Sequence, residues 1–292
     1  MLLYLPQIRD FFYAGYENYC LRSLETASQE ERKEAEEYIY QIYMRRNEKE
    51  ALLNLKKSPN ENHQWLYKYY EHYYLREKKA KGDMAMETED ALLSQVEKFK
   101  ITTTNGKILK SRLLFDCNKL QECFELLADG PIEVISAKII LLLLINRYDL
   151  ASQMIEEYKR MNDEIPIVKI MLAIFYLYTE NQKEAFLMFD DLESMCESTV
   201  NDSSTVILNG KGVSNILNYE FNDAKEFFKN TLREDPTNGD AIYNIITCSL
   251  YLYDLDEASE FLDKLYDSFP LHESLTVLKK IDDAVDNFVA QF

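Results

Sequence analysis

Apolar and polar positions along the 292-residue chain fall into helical segments separated by short polar turns. Gln29–Arg46, Glu61–Lys81 and Glu89–Phe99 each set apolar residues among charged ones, and each predicts a helix. The helix over Ile167–Tyr178 is apolar on nearly every face, which predicts something buried on each side of it. A last helix is expected over Ser274–Gln291. Between these, Gly82–Thr88 reads as an enlarged loop and Thr102–Gly106 as a turn. The longest apolar run is Ile139–Ile145, against the about 20 residues that a membrane span needs. Met1–Leu5 is apolar, but Pro6 and Arg9 follow at once, too early for a signal peptide. A soluble, cytoplasmic chain is the expectation.

The helices repeat. Ala224, Phe228 and Pro236 have counterparts 34 residues later, at Ala258, Leu262 and Pro270. Ala151 and Ala185 are also 34 apart, and Ala185 with Phe189 repeats the spacing of Ala224 with Phe228. That period resembles the tetratricopeptide helix–turn–helix repeat, whose pattern includes A-x3-F and a later proline. The interval from Ala185 to Ala224 is 39, which places a five-residue insertion near Ser198–Thr205. Cys123 to Ala151 is 28, which predicts a shortened connection. Cys20, Ala51 and Cys123 occupy the small position in earlier, more degenerate repeats. Small residues at Ala173, Gly212, Ala185, Ala224 and Ala258 let paired helices approach, and Phe189 and Phe228 fill the gaps between neighbours. Pro236 and Pro270 end hairpins. Asp149, Asn222 and Asp256 share one register as expected caps of second helices. The expected fold is all-α, a tetratricopeptide-like solenoid of about eight helical hairpins and a final helix. It is one domain over 1–292, with degenerate repeats over 1–129, more regular ones over 131–270 and a capping helix over 271–292.

In tetratricopeptide repeats the first helices line the inner face, and a fixed set of their positions points inward. Repeats starting at Ile132, Pro166, Thr205 and Gly239 put Ile140, Leu143 and Leu144 there, then Ile167, Ile170, Ile174, Leu177 and Tyr178. Val213, Ile216 and Leu217 follow, and then Tyr243, Leu250 and Tyr251. This face is mostly aliphatic and aromatic, so a concave groove that binds a partner protein is expected. Ile140 and Leu143 read equally well as core between helices.

Composition narrows the function. Only 7 glycines and 6 prolines occur, too few for the many tight turns of a sheet protein. The 33 basic and 51 acidic residues give a net charge of −18, which predicts no binding of nucleic acid and no direct membrane insertion. The five cysteines, Cys20, Cys117, Cys123, Cys196 and Cys248, form no CxxC pair and are expected to be reduced thiols in small core positions. His63 and His72, nine residues apart, lack metal-ligand spacing. Phosphate-loop, GxSxG and HExxH motifs are absent. Neither catalysis nor a cofactor is expected.

The order of features also resembles the epsilon-COP family, the small solenoid subunits of the COPI vesicle coat. Ile8–Tyr16 with Cys20 resembles the family's opening helix and turn, and Asn146–Ala151 with Lys159-Arg160-Met161 its central repeat. Leu208–Gly212 through Ala224 to Asn244 resembles its most regular repeats, and Leu278-Lys279-Lys280 to Phe288 its closing helix. The likeness thins between Gln64 and Asn105, and the Gly82–Thr88 loop has no counterpart in it. The resemblance implies a structural subunit that binds and stabilises the alpha-COP C-terminal domain and, through it, joins the other coatomer subunits. It implies a role in Golgi-to-ER and intra-Golgi transport, peripheral on Golgi and COPI-coated vesicle membranes. The alternative is another tetratricopeptide scaffold or a chaperone adaptor holding a protein segment. Asn209 and Asn244 stand at clamp-like positions for an adaptor, but Val213, Ser274 and Leu278 replace the other residues that such a clamp needs.

Overall fold

The computed structural model describes residues 5–46, 48–73, 89–99, 101–161, 165–197, 200, 202–269 and 272–289. Among them are seventeen helices and no strand. The N-terminal half holds α1 (Leu5–Tyr13), α2 (Glu17–Thr26), α3 (Gln29–Arg46), α4 (Lys49–Lys57), α5 (Glu61–Tyr73), α6 (Glu89–Val96), α7 (Thr104–Asp116) and α8 (Leu120–Leu126). The more regular half holds α9 (Ile132–Leu144), α10 (Tyr148–Met161), α11 (Pro166–Tyr178), α12 (Gln182–Glu197), α13 (Thr205–Leu217), α14 (Phe221–Glu234), α15 (Gly239–Tyr251), α16 (Leu255–Ser268) and α17 (Glu273–Val289). Pro270, the Gly82–Thr88 loop and the expected helix beyond Tyr73 lie outside the described residues.

From α7 to α15 every first helix is 13 residues long, and α9, α11, α13 and α15 begin at the residues that the repeat register selects. Irregular spacing is absorbed by the second helices and by the links after them. The 28-residue interval comes from α8, which is 7 residues long where α10 has 14. The 39-residue interval comes partly from α12, which has 16 residues where α14 has 14, and partly from the longer link before α13.

The first helices α7, α9, α11, α13 and α15 end the same way. The residue after the last turn of each is left-handed: Asn118, Asn146, Glu180, Tyr219 and Tyr253, with φ between 58° and 64°. At Tyr219 its amide donates to Ile216 O at 3.0 Å, and the Glu220 amide donates to Asn215 O at 2.8 Å. This is the Schellman closure, which satisfies the helix's last carbonyls and turns the chain back. Gly15, at φ 82°, does the same for α1. The turn also fixes where the second helix starts. Asp149, Asn222 and Asp256 therefore lie inside the first turns of their helices rather than at the caps. Asp254 is the N-cap of α16, accepting from the Glu257 amide at 3.2 Å, and Asp149 pairs with Arg147 at 2.7 Å. The expected turn at Thr102–Gly106 is shorter than expected, because Thr103 caps α7 and Gly106 belongs to it.

The core is a chain of clusters, each shared by neighbouring hairpins. Ala151, Ala173, Ala185, Ala224 and Ala258 are buried in them. Gly212 leaves room for the Phe228 ring, and Gly210 for the Phe189 ring. Cys20, Cys123, Cys196 and Cys248 are buried free thiols, and Cys117 is half-buried. Burial pushes the Cys20 thiol up to about 12 and Cys123, Cys196 and Cys248 to about 11, so none is a ready nucleophile.

The N-terminal hairpin is not confined to its sequence neighbours. Helix α1 packs on α11 as well as on α2 and α3. Arg9 reaches Glu133 at 3.4 Å, and the Tyr13 hydroxyl donates to Asn105 at 3.4 Å. Ser204, buried just before α13, donates its hydroxyl hydrogen to Ala14 O and accepts from the Ile207 amide at 3.1 Å. Arg22 pairs with Asp202 at 2.5 Å. The chain thus folds back on itself, with residues 14–22 against 202–207.

Candidate functional site

The expected groove residues divide into two groups along the solenoid. On α11, Ile167 is buried, and Ile170, Ile174 and Leu177 are half-buried. Ile170 and Leu177 share a cluster with Ala14, Tyr16, Phe11 and Tyr19 of the N-terminal hairpin, and Ile174 shares one with Tyr13. The helix that is apolar on nearly every face is therefore covered on one side by other repeats and on the other by α1. On α9, Leu143 is buried and Ile140 half-buried in the interhelix core, while Leu144 is exposed. Tyr178 is exposed at the end of α11.

From α13 onward, among the described residues, no helix of the N-terminal half packs on the first helices to the extent that α1 packs on α11. Val213, Ile216 and Tyr243 are half-buried against their own clusters. Leu217, Leu250 and Tyr251 are 39%, 51% and 60% exposed. Helix α17 begins 34 residues after α15, in the place of a further first helix. Its exposed ridge of Val277, Ile281 and Val285 stands at the register of Tyr243, Thr247 and Tyr251. The uncovered apolar surface therefore runs over α13, α15 and α17. Sequence reading missed the α17 ridge, although the 34-residue register carries it.

The helix-turn edge beside this surface carries Tyr219, Phe221, Tyr251 and Tyr253. Phe221 stacks on Tyr251 with centroids 4.4 Å apart and planes 7° apart, and meets Tyr219 edge-on at 6.2 Å. Asn209 donates to Asn238 at 3.3 Å, so it is tied to the next repeat. Elsewhere Lys211 is buried beneath the rings of Phe186 and Phe227, held by Asp190 at 2.7 Å and Glu193 at 2.5 Å. It is a structural cation: burial opposes its charge, but the hydrogen bonds it donates to the two carboxylates raise its pKa above the ordinary lysine value. Among the described residues no His, Cys, Asp and Glu side chains group as metal ligands, and no helix is long and apolar enough to cross a membrane.

A solved tetratricopeptide repeat protein from Parabacteroides merdae superposes with a TM-score of 0.53, covering 85% of this chain and 96% of that one at 13% identity, a likeness of fold alone. Coatomer subunit epsilon-2 of Arabidopsis thaliana is 23% identical over 163 residues, which are 55% of this chain and 52% of that protein. Coatomer subunit epsilon-2 of Oryza sativa subsp. indica is 26% identical over 161 residues, 54% of this chain and 51% of that protein. The chain thus spans about half the length of the curated relatives it matches. The family and the fold are structural rather than enzymatic. The sequence pattern of the family described as "Coatomer epsilon subunit" matches residues 3–292, and the chain belongs to that family.

Proposed function

We propose that the chain is a structural subunit of the COPI coat that binds the C-terminal domain of alpha-COP through the uncovered inner face of its last repeats. Family membership supports a coat subunit that associates with other coatomer subunits. The observation that carries the groove is the exposed series Leu217, Leu250 and Tyr251, continued by Val277, Ile281 and Val285. Exposed apolar side chains that recur at one register on an otherwise highly charged protein mark a candidate interaction site. Its counterpart on α11 is shared with the N-terminal hairpin, which supports a partner held mainly by the C-terminal half. Binding there stabilises alpha-COP in Golgi-to-ER and intra-Golgi transport, and the coat rather than insertion holds the protein at Golgi and vesicle membranes.

Co-purification with the alpha-COP C-terminal domain tests the reading. The parent chain is expected to retain the domain, and the partner to raise its melting temperature, since a ligand bound only by the folded state stabilises it. Leu250→Glu with Tyr251→Glu is expected to lose the domain while keeping helical circular dichroism, because both side chains face solvent. Retention by this variant at parent affinity would put the site elsewhere.

A further inference from the structure

We propose that the helix-turn edge of the last two hairpins, which adjoins the apolar face at Leu217 and Tyr251, is built to dock a lysine- or arginine-bearing segment of a partner protein. The first observation is backbone conformation. Asn118, Asn146 and Glu180 hold the left-handed turn position in earlier hairpins, and asparagine tolerates it best. At the last two turns Tyr219 and Tyr253 hold it, where a bulky side chain is strained. Neither ring recovers that cost by burial: they are 78% and 89% exposed. A strained, exposed aromatic recurring 34 residues later points to use at the surface rather than to packing.

The neighbouring positions recur with them. Leu217 and Tyr251, Glu220 and Asp254, and Phe221 and Leu255 are pairs at the same spacing, and all but half-buried Phe221 are exposed. The edge is thus an apolar strip edged by carboxylates. No lysine, arginine or histidine occurs from Gly212 to Ala224 or from Tyr243 to Asp263. The cations that α14 sends towards α16, Lys225 and Lys229, are taken up by Glu257 at 2.7 Å each, with Lys225 3.9 Å from Asp254. Open ring faces beside carboxylates suit a guanidinium or ammonium group: the ring holds the cation, and the carboxylate takes its N–H groups. A second copy of the chain would bring like charges together here, and an anionic lipid or nucleic acid would be repelled.

The left-handed positions offer a clean test. Tyr219→Gly with Tyr253→Gly removes both rings, keeps every carboxylate, and puts at each turn the residue that left-handed backbone favours. A fluorescent peptide of alternating arginine and leucine, and its glutamate-for-arginine counterpart, serve as probes in anisotropy titrations with the whole chain. The basic peptide is expected to bind and the acidic one not. The glycine variant is expected to melt no lower than the parent yet bind the basic peptide roughly tenfold more weakly or worse, as two lost cation–π contacts imply. Tyr219→Asn with Tyr253→Asn, using the residue of the earlier turns, is expected to give the same loss and stands in if the glycine variant melts lower. Undiminished binding by ring-less variants would reduce the attraction to net charge and overturn the proposal. So would equal binding of the acidic peptide, no binding of the basic one, or a parent dimer that the ring-less variants abolish.

Discussion

Gly210 and Gly212 stand in the middle of α13, where intrinsic helix propensity favours alanine by about 1 kcal/mol. Packing opposes that. A Cβ on Gly210 would lie 2.3 Å from the Phe189 ring, and one on Gly212 2.6 Å from the Phe228 ring. Both rings are buried and have nowhere to go. Overpacking costs about 1–3 kcal/mol, so Gly210→Ala is expected to lower stability by about 1–2 kcal/mol in chemical denaturation despite its better propensity. The Gly212–Phe228 pairing was legible in the sequence because both residues sit in the repeat pattern. Gly210 was not, because its partner Phe189 belongs to the preceding hairpin and the longer spacing there hides the register.

The hairpin is the unit in which charge matters. Glu257 on α16 accepts from Lys225 and Lys229 on α14 and from Ser249 on α15, each at 2.7 Å, so one carboxylate ties three helices together. Burial alone would raise its pKa, but the three hydrogen bonds outweigh it and hold the carboxyl at about 2. An acid depressed in the folded state adds stability above its unfolded pKa, about 4.3, and loses it as the pH falls towards the folded one. Glu257→Gln is therefore expected to melt lower than the parent at neutral pH, with the difference closing between about pH 5 and pH 2. Helix pairs and their order were readable from spacing at this scale. The left-handed turns were not: three of the five hold Glu180, Tyr219 and Tyr253, residues with no turn signature, and the cap positions were misplaced with them.

For the molecule as a whole, the contact between residues 14–22 and 202–207 departs from a plain solenoid, in which each repeat touches only its neighbours. No period announces such a contact. It explains why part of the expected groove is not free, and the all-round apolar character of α11 was its one trace in the sequence. Ser204 carries two duties there, as cap of α13 and as donor to Ala14. Ser204→Ala is expected to cost about 2 kcal/mol, roughly half for each duty, and to speed hydrogen exchange in α1 and α2 as well as at the start of α13. Exchange confined to α13 would show that the closure is unimportant. The same contact sets a delay in synthesis. Ala14 and Ser204 are 190 residues apart, and ribosomes add about 5–20 residues per second. Phe11 and Tyr16 therefore wait about 10–40 seconds in the emerging chain for the segment that completes their surroundings. Through that interval those two rings lack the part of their cluster that Val200 and Ile207 supply in the finished fold.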